Sequence, residues 1–131
     1  MDSKVTGNLG ENIAGKFLRD KGYRILDKNY SSKFVSGPQR GEIDIITRKG
    51  DVIVFVEVKT IVVSSGVAGA DFLPEDKVNY HKRRKIAKTA EIWLMEKKIP
   101  LNSKWQIDVI SVEINLVSKK TKIRHFENVS L

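Results

Sequence analysis

The chain has 131 residues, 40% apolar and 31% charged, which suits one globular domain spanning 1–131 and argues against a disordered tail. It has no cysteine and two histidines, His81 and His125, which excludes disulfides, thiolate zinc sites and cysteine nucleophiles. Any metal is then left to hard oxygen ligands, and the formal charge of +8 favours a polyanionic partner whose phosphates release counterions to lysine and arginine.

Met1-Asp2-Ser3-Lys4 lacks the basic-then-apolar run of a signal peptide, and the apolar runs Val52 to Val56 and Ile61 to Val63 are too short for a bilayer. A cytoplasmic location without membrane contact is the expectation. Leu9, Ile13, Phe17 and Leu18, with Ala14 beside them, predict a helix from Thr6 to Lys21 closed by Gly22 as its C′ residue. Tyr23 to Leu26 reads as a short strand and Asn29 to Arg40 as a polar connection with a turn at Gly37-Pro38. Glu42 to Thr47 and Val52 to Val58 are separated by Lys49-Gly50-Asp51, which predicts a β-hairpin. Val63 to Glu75, with Gly66, Gly69 and Pro74, reads as a mobile loop. Val78, Ile86, Ala90, Trp93 and Leu94 predict a second helix from Asp76 to Lys98, stopped before Pro100. Trp105 to Ile114 and Thr121 to Phe126 complete the set as strands. The order αβββαββ, with a helical crossover between the third and fourth strands, predicts an α/β domain with a mixed sheet.

Chemistry concentrates in Gly41-Glu42-Ile43-Asp44-Ile45-Ile46 and Phe55-Val56-Glu57-Val58-Lys59. Strand side chains alternate, so Glu57 and Lys59 share a face opposite Val56 and Val58, and Glu42 and Asp44 likewise share a face opposite Ile43 and Ile45. A two-residue turn at Gly50-Asp51 sets Asp44 opposite Glu57 and Glu42 opposite Lys59; a turn at Lys49-Gly50 shifts the partners by a diagonal step on the same face. Ile43, Ile45, Val54, Val56 and Val58 then form one buried face. Two carboxylates facing each other repel unless a cation lies between them, so Asp44 and Glu57 are candidate ligands for Mg2+ or Mn2+, with the Val58 carbonyl as a further oxygen. Such a metal polarises a phosphate oxygen and acidifies a bound water, while Lys59 orients that water or stabilises charge on the phosphorane. The plainer alternative is a solvated sheet face, with Glu42 and Lys59 as a surface ion pair of little energetic weight. A strand flanked on both sides favours the first reading.

This pattern, on a hairpin after an N-terminal helix, resembles the PD-(D/E)xK nuclease superfamily, and more closely the YraN-like family of small bacterial proteins related to archaeal Holliday-junction resolvases. Further matching segments are Gly10-Glu11 with Ala14, Gly22-Tyr23-Arg24-Ile25-Leu26, Asn29-Tyr30, Val78, Lys82, Lys85-Ile86 and Ile107-Asp108-Val109. The resemblance implies a restriction-endonuclease-like fold, metal binding by Asp44 and Glu57, and catalysis by Lys59. It adds Glu11 as a further acid near the metal, against the alternative of an exposed helix residue whose charge suits an N-terminus. Glu42 either assists the metal or pairs with Lys59. Where many relatives carry an arginine after the Val-Lys segment, this chain continues Thr60-Ile61-Val62-Val63.

The second helix carries Lys77, His81, Lys82, Arg83, Arg84, Lys85 and Lys88 in its first half. Such runs are commonly solvated faces, but here Lys82, Lys85, Arg83 and Arg84 are candidates for gripping a nucleic-acid backbone without reading bases. Trp93 and Trp105 read as core, and Asp108 as an anchor or site neighbour outside the metal shell. The expected function is a metal-dependent endonuclease acting on DNA, at branched or structured sites, without strong sequence specificity or a small-molecule cofactor. Resolvase-like action needs two active sites, which leaves a homodimer open. The alternatives are a catalytically silent module binding DNA or a protein partner in repair, and an RNA-processing enzyme.

Overall fold

The computed structural model describes residues 3–33, 35–64 and 80–129. The predicted loop with Gly66, Gly69 and Pro74, and the predicted helix start with Lys77 and Val78, lie outside them. Helix α1 covers Ser3–Asp20 and is followed by strand β1, Arg24–Tyr30. A 3-10 turn at Gly37–Gln39 leads to β2, Ile43–Lys49, and β3, Val52–Val63. Helix α2, Tyr80–Glu96, precedes β4, Trp105–Asn115, and β5, Thr121–Phe126. The five strands lie in the order β1-β2-β3-β4-β5, antiparallel except for the parallel pair β3 and β4 that α2 connects. The predicted αβββαββ mixed sheet is therefore observed. No helix among the described residues is long and apolar enough to cross a membrane.

Each sheet face is buried by one helix. Ala14 and Leu18 of α1 pack with Ile45, Val54, Val56, Val58, Ile110 and Val112. Ile86, Ala90, Trp93 and Leu94 of α2 pack with Ile46, Ile53, Phe55, Ile107 and Val109. A central strand covered on both sides reads as a continuous apolar run, as Val52 to Val56 does. Phe55, edge-on to Trp93 and Trp105 with ring centroids 5.8 and 5.5 Å away, thus shares the face that Glu57 occupies further along β3.

Local signals explain the ends of these elements. Gly22 takes φ +90 where the Tyr23 N–H donates to the Leu18 carbonyl at 2.9 Å, the left-handed close that the sequence predicts for α1. Lys49 pairs with Val52, so the hairpin turns on Gly50-Asp51, with Gly50 at φ +61 as primed turns require at their first central residue.

Four expectations are corrected. Strand β1 is not confined to Tyr23 to Leu26: it continues through Asn29-Tyr30, segments expected in the connection, because Tyr30 Oη donates to Glu96 Oε2 at 2.7 Å and ties the strand to α2. Strand β3 runs five residues past Val58, because the β-branched Ile61 to Val63 pair with Glu113 to Asn115 of β4. Leu9 is 38% exposed, since α1 approaches β3 through Gly10, where an added Cβ would collide with the Thr60 side chain. Ile43 packs beneath α2 with Ile46 and Phe55 rather than beneath α1 with Ile45, because the β2–β3 ladder ends at Ile45–Val56. The Gly10 contact carries a prediction. Gly10→Ala should lower stability by about 1–2 kcal/mol net of its helix-propensity gain, read by urea unfolding, and Thr60→Ala should restore most of the loss.

Candidate active site

Where β2 and β3 part, Asp44 replaces the missing ladder: its Oδ2 accepts the Val58 N–H at 2.7 Å. A continuing strand would have offered a backbone carbonyl there. The departure opens a cleft of about 1110 Å3 between the first half of α1, the turn before β2, the far half of β3 and the first turns of α2. Glu11 reaches it from α1, Arg40, Glu42 and Asp44 from the β2 side, Glu57 and Lys59 from β3, and His81, Lys82 and Lys85 from α2.

Glu57 is 5% exposed, and its Oε1 meets two ammonium groups. Lys82 Nζ lies 2.8 Å away and Lys59 Nζ 3.3 Å away. Lys59 therefore pairs with Glu57, and not with Glu42 as its register position suggests. Glu42 is exposed at the rim of the cleft. Asn29, in the left-handed region at φ 51, turns its amide towards α1, and with the NH2 assigned to face the acid it donates to both Glu11 oxygens at 3.0 and 3.2 Å. Glu11 is thus held in place by β1 rather than left free on its helix.

Glu57 and Glu11 both press on Asp44. Burial raises the Asp44 carboxyl to about 8, and the charges of Glu57 and Glu11 add to the rise against the pull of the Val58 N–H. Burial, together with neighbouring Lys82, holds the Lys59 ammonium below the usual lysine value despite Glu57. Burial also pulls on Lys82, but its hydrogen bond and charge pairing with Glu57 outweigh this and leave it above that value. The cleft gathers hard oxygen donors, with two amines, Lys59 and Lys82, on Glu57 and a third, Lys85, further along its wall.

Of the predicted phosphate contacts, Lys82 and Lys85 line the cleft, whereas Arg83 and Arg84 are not among its lining residues. Arg83 is half-buried, and its Nε is enclosed without a hydrogen-bond partner. The sequence reading took Lys82 as a phosphate contact and missed its grip on Glu57, because the two are 25 positions apart and no periodicity links them. It also missed Arg40, whose guanidinium donates to Ser31 Oγ at 2.7 Å beside the cleft, and the role of Asn29.

A second polar cluster lies on the opposite face of the sheet. Asp108 pairs with Val56, so it points to the α1 side, away from Glu57. It is fully buried and receives Gln106 Nε2 at 2.9 Å and the Asn128 N–H at 2.8 Å, with His125 Nε2 at 2.7 Å. Tyr23 Oη donates to Glu127 at 3.4 Å, and burial with the charges of Asp108 and Glu127 pushes the Tyr23 phenol up to about 12. Asp108, His125 and Glu127 have ligand atoms within 4.8 Å of one another, a grouping that could hold an ion. The polar contacts already made by Asp108 give it a structural role. The histidine count of two did not foresee this cluster.

The family described as Uncharacterised protein family UPF0102 matches residues 10–112, a span that includes every cleft acid and the three cleft lysines described above. A UPF0102 protein of Alkaliphilus oremlandii is 41% identical over 126 residues, covering 96% of this chain and 97% of its own. A UPF0102 protein of Dictyoglomus turgidum is 35% identical over 128 residues, covering 97% and 95%. One from Persephonella marina is 39% identical over 115 residues, covering 88% and 89%. With a family match over most of its length and relatives that cover 88–97% of it, this chain belongs to the UPF0102 family.

Proposed function

We propose that this protein is a divalent-metal-dependent endonuclease that hydrolyses DNA phosphodiester bonds at branched or structured sites, with the restriction-endonuclease-like arrangement its sequence resembles. The observation that carries the reading is the convergence of Asp44, Glu57 and Lys59 in one open cleft, at the point where two central strands separate. The donor set fits Mg2+ or Mn2+: hard carboxylate oxygens, among them an Asp44 carboxyl whose pKa is raised first by burial and then by the charge of Glu57, both of which a bound dication would offset. Asp44 and Glu57 would hold the ion, with Glu11 beside them, and the ion supplies Lewis acidity to a phosphate oxygen and to water.

The chain's own groups divide the remaining work. Val58 fixes Asp44 through its N–H, and Asn29 fixes Glu11, so the acids are set before substrate arrives. Lys59, shielded by burial, stabilises charge growing on the phosphoryl oxygens. Lys82, Lys85 and Arg40 grip the sugar-phosphate backbone and read no bases, which matches preference for DNA shape over sequence. A formal charge of +8 on the chain favours the same polyanion.

The test is incubation with duplex, flap and four-way DNAs in Mg2+ or Mn2+, with matched RNAs alongside. Cleavage should fall to background in Asp44→Ala and Glu57→Ala, and by about 10²–10³-fold in Lys59→Ala. Cleavage that persists in both carboxylate variants would rule the assignment out. One observation favours a second reading, a silent module that binds DNA or a protein partner: Glu57 is already held by two amines. That reading predicts salt-sensitive DNA binding with no cleavage and no response to metal.

A further inference from the structure

Lys82 is the nearer of the two amines on Glu57, at 2.8 Å against 3.3 Å for Lys59. The two are anchored differently. Lys59 rises from the same strand as Glu57, two residues on, and its side chain is 23% exposed. Lys82 reaches across the cleft from α2 and is 40% exposed at the mouth. An ammonium at hydrogen-bond distance from a carboxylate oxygen sits where a cation ligated by that oxygen would sit. A dication and an ammonium repel at such range, so both cannot occupy the place. Of the two amines, the one on the longer reach, with solvent behind it, leaves at the lower cost. Lys85 lies one helical turn further along α2 and also lines the cleft, so a released Lys82 joins an amine already facing the substrate's path.

We propose that Lys82 is the displaceable counter-ion of the acidic cleft: it neutralises Glu57 until a divalent cation binds, yields that place, and then takes the substrate phosphate. Metal loading and phosphate capture are thereby coupled through one side chain, and phosphate is not gripped productively before the acids are filled. This inference rests on the endonuclease reading of the same cleft. Lys82 is in this sense a positioning residue for the acids and a binding residue for the substrate.

The test is Mn2+ binding to the whole chain without DNA, by calorimetry, in the native protein and in Lys82→Met, Lys82→Gln, Lys82→Arg, Lys85→Met and Glu57→Ala. Removing a competing cation should tighten Mn2+ about 5–10-fold in Lys82→Met. Lys82→Gln stays polar without the charge and moves the same way, which covers the case in which the methionine variant folds poorly. Lys82→Arg should return the affinity to the native value. Lys85→Met, which removes a cleft amine that makes no ion pair with Glu57, should shift it far less. In DNA binding by the Mn2+-loaded protein, Lys82→Met should reduce the logarithmic salt slope by about 1. Native binding that Glu57→Ala removes, with Lys82→Met and Lys82→Gln no tighter than the native chain, overturns the counter-ion role alone. Absence of Mn2+ binding in the native protein overturns both this role and the metal-dependent reading beneath it.

Discussion

Asp108→Ala should destabilise the protein by about 3–5 kcal/mol, the cost of removing one partner from a buried charged network. Three groups lose an acceptor together: the Gln106 amide, the Asn128 N–H and the His125 ring nitrogen. His125 also packs edge-on against Phe17 of α1, with centroids 5.9 Å apart, and lies 5.9 Å from the Tyr23 ring. Losing Asp108 therefore loosens α1 from β4 and β5, and it frees the C-terminal segment that the Val129 N–H otherwise ties to the Ile107 carbonyl at 2.8 Å. For a domain of this size the loss corresponds to a fall in Tm of roughly 10–20 °C. Asp108→Asn, which retains an oxygen acceptor, should cost less, and Mn2+ affinity at the cleft should stay unchanged because Asp108 lies across the sheet. Calorimetric melts and Mn2+ titrations of both variants decide it. A loss under about 1 kcal/mol in Asp108→Ala contradicts the anchoring role.

What could be read before the fold was known follows a physical line. The hairpin was legible because its pattern is local: alternation on two short strands, with a glycine where a primed turn needs one. That was enough to bring Asp44 and Glu57 to the same end of the ribbon, although the ladder stops at Ile45–Val56, one pair short of them. The fate of Ile43 was not legible, because it turns on a side chain substituting for backbone at Val58, which no alternation of apolar residues records. Tyr30 and Leu9 were misplaced for a similar reason. One is drawn into a strand by a hydroxyl that finds Glu96, and the other is turned outward where Gly10 meets Thr60. In each case a distant contact overrides the local signal. The cleft shows the same division. Asp44, Glu57 and Lys59 announce themselves by spacing within one ribbon, whereas Glu11 came only from the resemblance, and Lys82 on Glu57, Asn29 on Glu11 and His125 on Asp108 all join separate elements. A lysine-rich helix face reads as solvated unless the fold turns one of its residues inward.

Burial of Asp44, with the charges of Glu57 and Glu11 beside it, should appear in the pH dependence of stability. Asp44 in the folded protein holds its proton up to about pH 8, against the ordinary aspartate value of 3.8 for the unfolded chain. Between those values the folded state binds the extra proton, so stability contributed by this group falls as pH rises and levels off above about 8. Below 3.8 both states are protonated, and the group contributes nothing. Asp44→Asn carries a neutral amide at all pH values and lacks this slope. The stability difference between the variant and the native protein should therefore grow in the variant's favour by about 1.4 kcal/mol per pH unit between pH 5 and 7. By pH 9 the accumulated change should reach about 3–4 kcal/mol. Urea unfolding of both proteins across that range measures it, and parallel profiles would show that Asp44 ionises freely. Mg2+ separates the causes further. An ion bound to the ionised carboxylate at a hundredfold excess over its Kd stabilises by about 2.7 kcal/mol, so it should recover most of the alkaline loss in the native chain and little in Asp44→Asn. An alkaline loss that Mg2+ leaves untouched would mean the acids strain the fold without a cation to relieve them, and the cleft would then belong to a binding module and not to a nuclease.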